Sequence, residues 1–274
     1  MIELLIGICI LWLIAASITD IRKREISDWL SFSLFAIGLF FAIISSITRQ
    51  NYNLLISTGI IFLIFLIAAN ILYYLGIFGG GDAKLLIALS TVLPQLTFSS
   101  FISLPSAAIF LLNCTLIGGA YGITFSIVLA LKHKKEFIKK LNEMRFPIWP
   151  FLIISVILAA VFYFTYPQLI IISAIILLFP FIYVFAKSVE SVALVKTIDV
   201  SKLTEGDWLV HPVKVGSRLI NARAGLSKKE IELLKKYKYH VTIKEGIPFV
   251  PVFLIAFLLS LWLGNLFELF IPFA

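Results

Sequence analysis

The sequence predicts an all-α polytopic membrane protein of about eight transmembrane helices with a small inserted cytosolic α+β module. Three observations predict it. Of 274 residues, 61% are hydrophobic and only 14% charged, with a mean hydropathy of +1.05, whereas a soluble domain carries about 25% charged residues. The apolar residues fall in runs close to the ~20 residues that cross a bilayer. The charged residues gather between those runs and in one polar stretch.

Apolar runs occupy 2–19, 29–47, 54–78, 83–101, 107–131, 148–166, 169–186 and 247–271. The first lacks a basic leader and a small-residue cleavage site, so it reads as a retained span and not a secretory signal. Pro94 and Gln95 interrupt the fourth, and Thr165-Tyr166-Pro167-Gln168 is a tight turn signal between the sixth and seventh. Residues 1–187 thus form a helical membrane domain of seven spans, and 247–274 supply the final one. Between them, 188–246 hold most of the remaining charge. Short β-type runs (Trp208-Leu209-Val210 and His240-Val241-Thr242-Ile243) flank a helical one there. Ser227-Lys228-Lys229-Glu230, ahead of Ile231, Leu233 and Leu234, is a capping-box start.

A formal charge of +8 would suggest nucleic acid in a soluble protein. Here the cations sort by topology. Arg22, Lys23 and Arg24 follow the first span; Lys132, Lys134, Lys135, Lys139, Lys140 and Arg145 follow the fifth; Lys187 follows the seventh. If the spans alternate, all lie on one face, and the other face has Arg49 and almost nothing else basic. The positive-inside rule makes that face cytoplasmic and puts both chain ends outside. The expected partner is a bilayer, the cell membrane, and no nucleic acid. Cys9 and Cys114 sit in separate apolar runs with no metal-ligand spacing, and read as packed or lipid-facing thiols. His211 and His240 show no ligand pattern either, so neither a metal nor a cofactor is expected.

Carboxylates near membrane depth are costly and need a reason. Asp20 ends the first span, and Asp82 follows Phe78-Gly79-Gly80-Gly81 at the junction of the third and fourth. In this topology both lie at cytoplasmic helix ends and can meet at one depth. Singly, Asp82 reads as a helix N-cap, Asp20 as an interfacial charge and the glycines as a flexible turn. Asp28 reads as the cap of the second span. As a pair, Asp20 and Asp82 can share a proton, activate water against an amide carbonyl and protonate the leaving nitrogen. Asp82 begins a helix and Asp20 ends one, so the helix dipoles make Asp82 the more readily ionised member.

Gly79-Gly80-Gly81-Asp82 followed by Ala83-Lys84-Leu85 resembles the GxGD motif of membrane aspartyl proteases. The string from Asp20 to Trp29 (Asp20-Ile-Arg-Lys-Arg-Glu25-Ile-Ser-Asp28-Trp29) resembles the first-aspartate motif of the archaeal preflagellin and prepilin peptidases. The stretches 225–237 and 244–251 resemble the end of those enzymes. The resemblance implies an aspartic endopeptidase with Asp20 and Asp82 as catalytic residues. Its substrates would be archaeal flagellin and type IV pilin-like precursors, losing a short basic leader at the cytoplasmic face. The four-cysteine zinc site of the bacterial branch is missing, as is a glycine-rich nucleotide motif, so methylation of the product is not implied.

Around the pair, Gly79, Gly81 and Lys84 are candidate supporting residues. Lys84 reads equally as an oxyanion stabiliser or as a snorkelling lysine. Glu25 is a candidate contact for a basic leader, against a plain interfacial role. Pro248 and Phe249 open the last span; ordinary N-terminal prolines explain Pro248-Phe249-Val250-Pro251, and a wall for an extended substrate is the weaker reading. Two rivals stand against the protease. A transporter or channel would bind ions or protons at Asp20 and Asp82, and a non-catalytic assembly component would tolerate loss of both.

Overall fold

The computed structural model describes residues 1–101, 103–145, 149–166, 170–215, 218–220, 225–237 and 240–270. Four long helices carry most of the membrane part: α1 (Ile2–Lys23), α2 (Asp28–Thr48), α3 (Asn53–Tyr74) and α5 (Ser106–Lys132). Each is a proline-free run of Ile, Leu, Phe and Ala. A fifth long apolar helix, Ile176–Leu194, comprises most of α8 (Ile170–Val189) and a π-helical turn, Glu190–Leu194. Among the described residues these five are long and apolar enough to cross a bilayer. Their large apolar side chains point outward: Leu11, Phe32 and Phe179 are each more than 60% exposed. In water such a surface would drive aggregation; in lipid it is the expected face.

The short helix α4 (Gly80–Leu89) lies inside this bundle, with Ala83, Leu85, Leu86, Ala88 and Leu89 all buried. It packs against α2 and α3, while α10 (Val250–Leu263) packs against α1 and α5. One continuous apolar core results, from Leu5 and Leu13 of α1 through Leu86 and Phe110 to Phe253 and Phe257. Cys9 and Cys114 are both buried in it, the packed one of the two expected environments.

Two predicted spans are shorter than expected. The run 83–101 is no single helix. Ser90 and Thr91 turn their hydroxyls back onto the carbonyls of Ile87 and Ala88, and the chain passes into a 3-10 turn at Leu93–Gln95. Gln95 then donates to the carbonyls of Gly38 and Thr91, with its Nε2 at 2.7 Å from each. A helix of 10 residues spans about 15 Å, half a hydrocarbon core. The last helix, predicted over 247–271, has 14 residues. It stops at Gly264, whose φ of +72° and approach to the Ser99 carbonyl leave no room for a side chain. Helices α6 (Lys134–Arg145) and α7 (Trp149–Thr165) lie between, and α7 and α6 both pack on α8. The predicted turn at Pro167-Gln168 and the span ends at 148, 169 and 271 lie outside the described residues.

Between α8 and α10 run five short strands: β1 (Val195–Asp199), β2 (Trp208–Leu209), β3 (Val213–Val215), β4 (Arg218–Ile220) and β5 (His240–Lys244). β5 pairs antiparallel with β1 and β2, and β3 with β4. Helix α9 (Lys228–Lys236) starts on the Ser227–Glu230 capping box, with Ser227 N donating to Glu230 Oε2 at 2.9 Å. Leu203, Leu226, Ile231, Leu234, Val241 and Ile243 make a small apolar cluster here, distinct from the core of the bundle.

Candidate active site

The buried residues of α1 recur at helical spacing: Leu5, Cys9, Leu13, Ala16, Asp20. Asp20 is therefore the last member of the stripe that faces the bundle interior. It is buried where an interfacial charge would be exposed. Its Oδ2 accepts the backbone N–H of Val250, the first residue of α10, at 3.0 Å. α1 ends four residues later at Arg24, in the left-handed conformation (φ +58°). The Arg24 guanidinium donates to the carbonyl of Gly246 at 3.0 Å.

Asp82 occupies the third position of α4, not the cap. Gly79 is the cap, in extended conformation, and its N–H donates to Asp82 Oδ2 at 3.1 Å. The carboxylate thus satisfies one of the orphan donors of the helix end, the cap N–H, with no return bond from the glycine cap. The three glycines are not a flexible left-handed turn, because Gly80 and Gly81 already lie in α4 and none of the three has a positive φ. Gly81 is required by space: a Cβ there would stand 2.9 Å from Cβ of Ile26, in the α1–α2 loop.

Asp20 and Asp82 line one cleft of about 1450 Å³, and the charge of Asp20 acts on Asp82. A second helix end opposes the predicted difference between their helix-dipole fields. Asp20 closes α1, yet it receives the first N–H of α10, so both carboxylates face a helix N-terminus.

Among the predicted supporting groups, Gly79, Gly81, Lys84, Glu25 and Phe249 line the cleft and Pro248 does not. Lys84 points at Asp28, with Nζ 2.5 Å from Oδ1. Asp28 is accordingly no cap of α2: Ser27 holds the cap position, and Asp28 links α2 to α4 through Lys84. Phe249 packs tilted against Phe78 and edge-to-face with Phe253, at 5.2 and 5.4 Å between centroids. Pro251 falls in the first turn of α10, where its missing N–H costs nothing.

Sequence reasoning missed Val250, Tyr121 and Asp207. The donor of Val250 is a backbone group with no side-chain signal, although Pro248 and Pro251 bracket it. Tyr121, on α5, lines the cleft within reach of the charges of Asp20 and Arg24. Asp207 precedes β2 and accepts the N–H of Thr204 at 2.8 Å. Burial raises its carboxyl above the usual range, the Thr204 hydrogen bonds oppose that, and the charges of Glu25 and Glu245 reinforce it.

Residues 7–123 match the model of the type IV leader peptidase family. A preflagellin peptidase of Methanococcus maripaludis is 42% identical over 104 residues, covering 38% of this chain and 44% of that protein. A preflagellin peptidase of Methanococcus voltae is 36% identical over 98 residues, 36% of this chain and 42% of that protein. The chain thus spans less than half the length of these curated relatives. No solved structure matches. The resemblance drawn from the two aspartate motifs holds over a segment that contains both, while the stretches 225–237 and 244–251 lie beyond residue 123.

Proposed function

We propose that the chain is a membrane aspartic endopeptidase that removes the short basic leader from archaeal flagellin and type IV pilin-like precursors. The observation that supports this reading is that Asp20 and Asp82 both line one cleft, each held by a backbone N–H. Preflagellin peptidases among its relatives support the substrate class. The cations around this end of the bundle, Arg22 to Arg24 and Lys132 to Lys140, support a cytoplasmic site in the cell membrane. The strand-bearing segment 188–246 then stands in the cytosol over the cleft.

Two carboxyl groups in one desolvated site hold a single proton between them. The ionised member takes a proton from a water as its oxygen attacks the scissile carbonyl. The protonated member gives its proton to the carbonyl oxygen, forming a tetrahedral diol. Collapse of the diol breaks the C–N bond, and a proton passes from the pair to the departing nitrogen. Lys84, bound to Asp28, takes no part. An ion pathway would want carboxylates near the membrane midplane, whereas these stand at helix ends.

Purified protein incubated with a flagellin-like precursor should release the leader, and Asp20→Asn and Asp82→Asn should each abolish release. Unchanged cleavage by either variant would overturn the mechanism.

A further inference from the structure

We infer that the substrate's apolar helix enters the site sideways from the membrane, through the gap between α3 and α5. This inference rests on the proposed leader-peptidase activity and adds the docking surface.

Helices α3, α2, α1, α10 and α5 pack each on the next in that order, with α4 on α2 and α3, but α3 and α5 scarcely touch each other along their lengths. What joins them is the 3-10 turn Leu93–Gln95, which packs on both and closes the deep end of the gap. Above it the gap is open. Asn70 and Tyr73 of α3 line one side of the cleft; Gly118, Tyr121, Gly122 and Ser126 of α5 line the other. A second groove of about 550 Å³ runs along the outward face of α3 from Leu66 to Leu75. Asn70 lines both cavities and so marks where the cleft borders the outward face of α3.

The α5 side is shaped for a helix. α5 is the least buried of the five long helices. A Cβ added at Gly119 or Gly122 would meet nothing within 4 Å. Small residues on a helix face let a second backbone approach closely in lipid.

Charge decides which helix fits. The chain as a whole carries +8, yet the wider mouth of the cleft is lined by Glu25, Glu190, Glu205, Asp207 and Glu245, opposed there by Arg24 and Lys244. Among the described residues Glu25 and Asp207 have no ion-pair partner, while Glu190, Glu205 and Glu245 are paired with lysines. The two carboxylates without a lysine, Glu25 and Asp207, suit an apolar helix with cations just before it. The occupant we assign is the precursor itself: helix in the gap, basic leader under the strands, and the joining peptide at the aspartates.

Cysteine crosslinking on the full chain in membranes tests this. Asn70→Cys and Gly122→Cys are made separately, with Phe40→Cys, exposed on α2 away from the cleft, as reference; Cys9 and Cys114 are buried and stay in place. Each is oxidised with a precursor carrying one cysteine in its apolar helix. The expected result is a several-fold higher yield of mixed disulfide at 70 and 122 than at 40. Equal yields, or crosslinking chiefly at 40, would overturn the route. Leader release is scored in the same samples before oxidation. Its failure with crosslinks at 70 and 122 would reject the peptidase reading and leave the docking surface standing. Release without those crosslinks would reject the docking surface alone.

Discussion

The Asp20 carboxylate and the Val250 backbone N–H meet at 3.0 Å, joining the end of α1 to the start of α10. The contact is buried, and it couples the position of a proposed catalytic group to the packing of α1 on α10.

That coupling separates two effects of mutation. Asp20→Asn keeps an acceptor for Val250, whereas Asp20→Ala leaves a buried N–H unpaired, a penalty of about 1–3 kcal/mol. Both should lose roughly 10²-fold or more in leader release, the scale of general acid–base catalysis. Only Asp20→Ala should also unfold earlier on heating in detergent. Equal thermal loss in both variants would show that the hydrogen bond contributes little.

Gly81 meets Ile26 where helix α4 begins. Gly81→Ala would drive its methyl to 2.9 Å from Ile26 Cβ, an overpacking that costs about 1–3 kcal/mol. A double variant, Gly81→Ala with Ile26→Gly, which removes that Cβ, should recover much of the loss. Thermal denaturation of the three variants measures the recovery, and a purely additive result would argue against this contact.

Lys84 discriminates between two roles. An oxyanion donor is worth about 10²–10³ in rate, while a surface ion pair is worth about 0–1 kcal/mol. Lys84 and Asp28 are 45% and 59% exposed. Lys84→Gln should therefore leave the rate constant for release within the same order of magnitude as wild type. A loss on the oxyanion scale would restore Lys84 to the chemistry.

Asp207 should act on binding. Its carboxyl titrates above its ordinary 3.8, chiefly because it is buried, and only the ionised form attracts a basic leader. KM for a precursor should fall as pH rises from about 4 through the raised titration. Asp207→Asn should raise KM, weaken that pH dependence and leave kcat little changed, and added salt should shrink the difference between the two proteins. Steady-state kinetics at several pH values and ionic strengths read all three effects.

Composition, the long apolar runs and the two aspartate motifs were legible from the sequence because each is local. Hydropathy counts residues along the chain, and the capping box at Ser227 needs only three residues of context. The length of the fourth and eighth helices was not. α4 ends early because Ser90, Thr91 and Gln95 find carbonyls on their own turn and on α2. α10 ends at Gly264 because the Ser99 carbonyl lies against it from another part of the chain. Hydropathy carries no information about either neighbour.

The same division runs through the site. By itself the sequence determined that Asp20 and Asp82 stand at helix ends, since the periodicity of α1 and the order of the apolar runs depend on the chain alone. Tertiary structure decided what each carboxylate touches: Val250 for Asp20, Gly79 for Asp82, and Asp28 for the lysine two residues after Asp82. It also decided that Asp20 faces the start of α10, which opposes the dipole field expected from α1 alone. Hydrogen bonds and fields act through space over a few ångströms, and the groups concerned lie up to 230 residues apart in the chain.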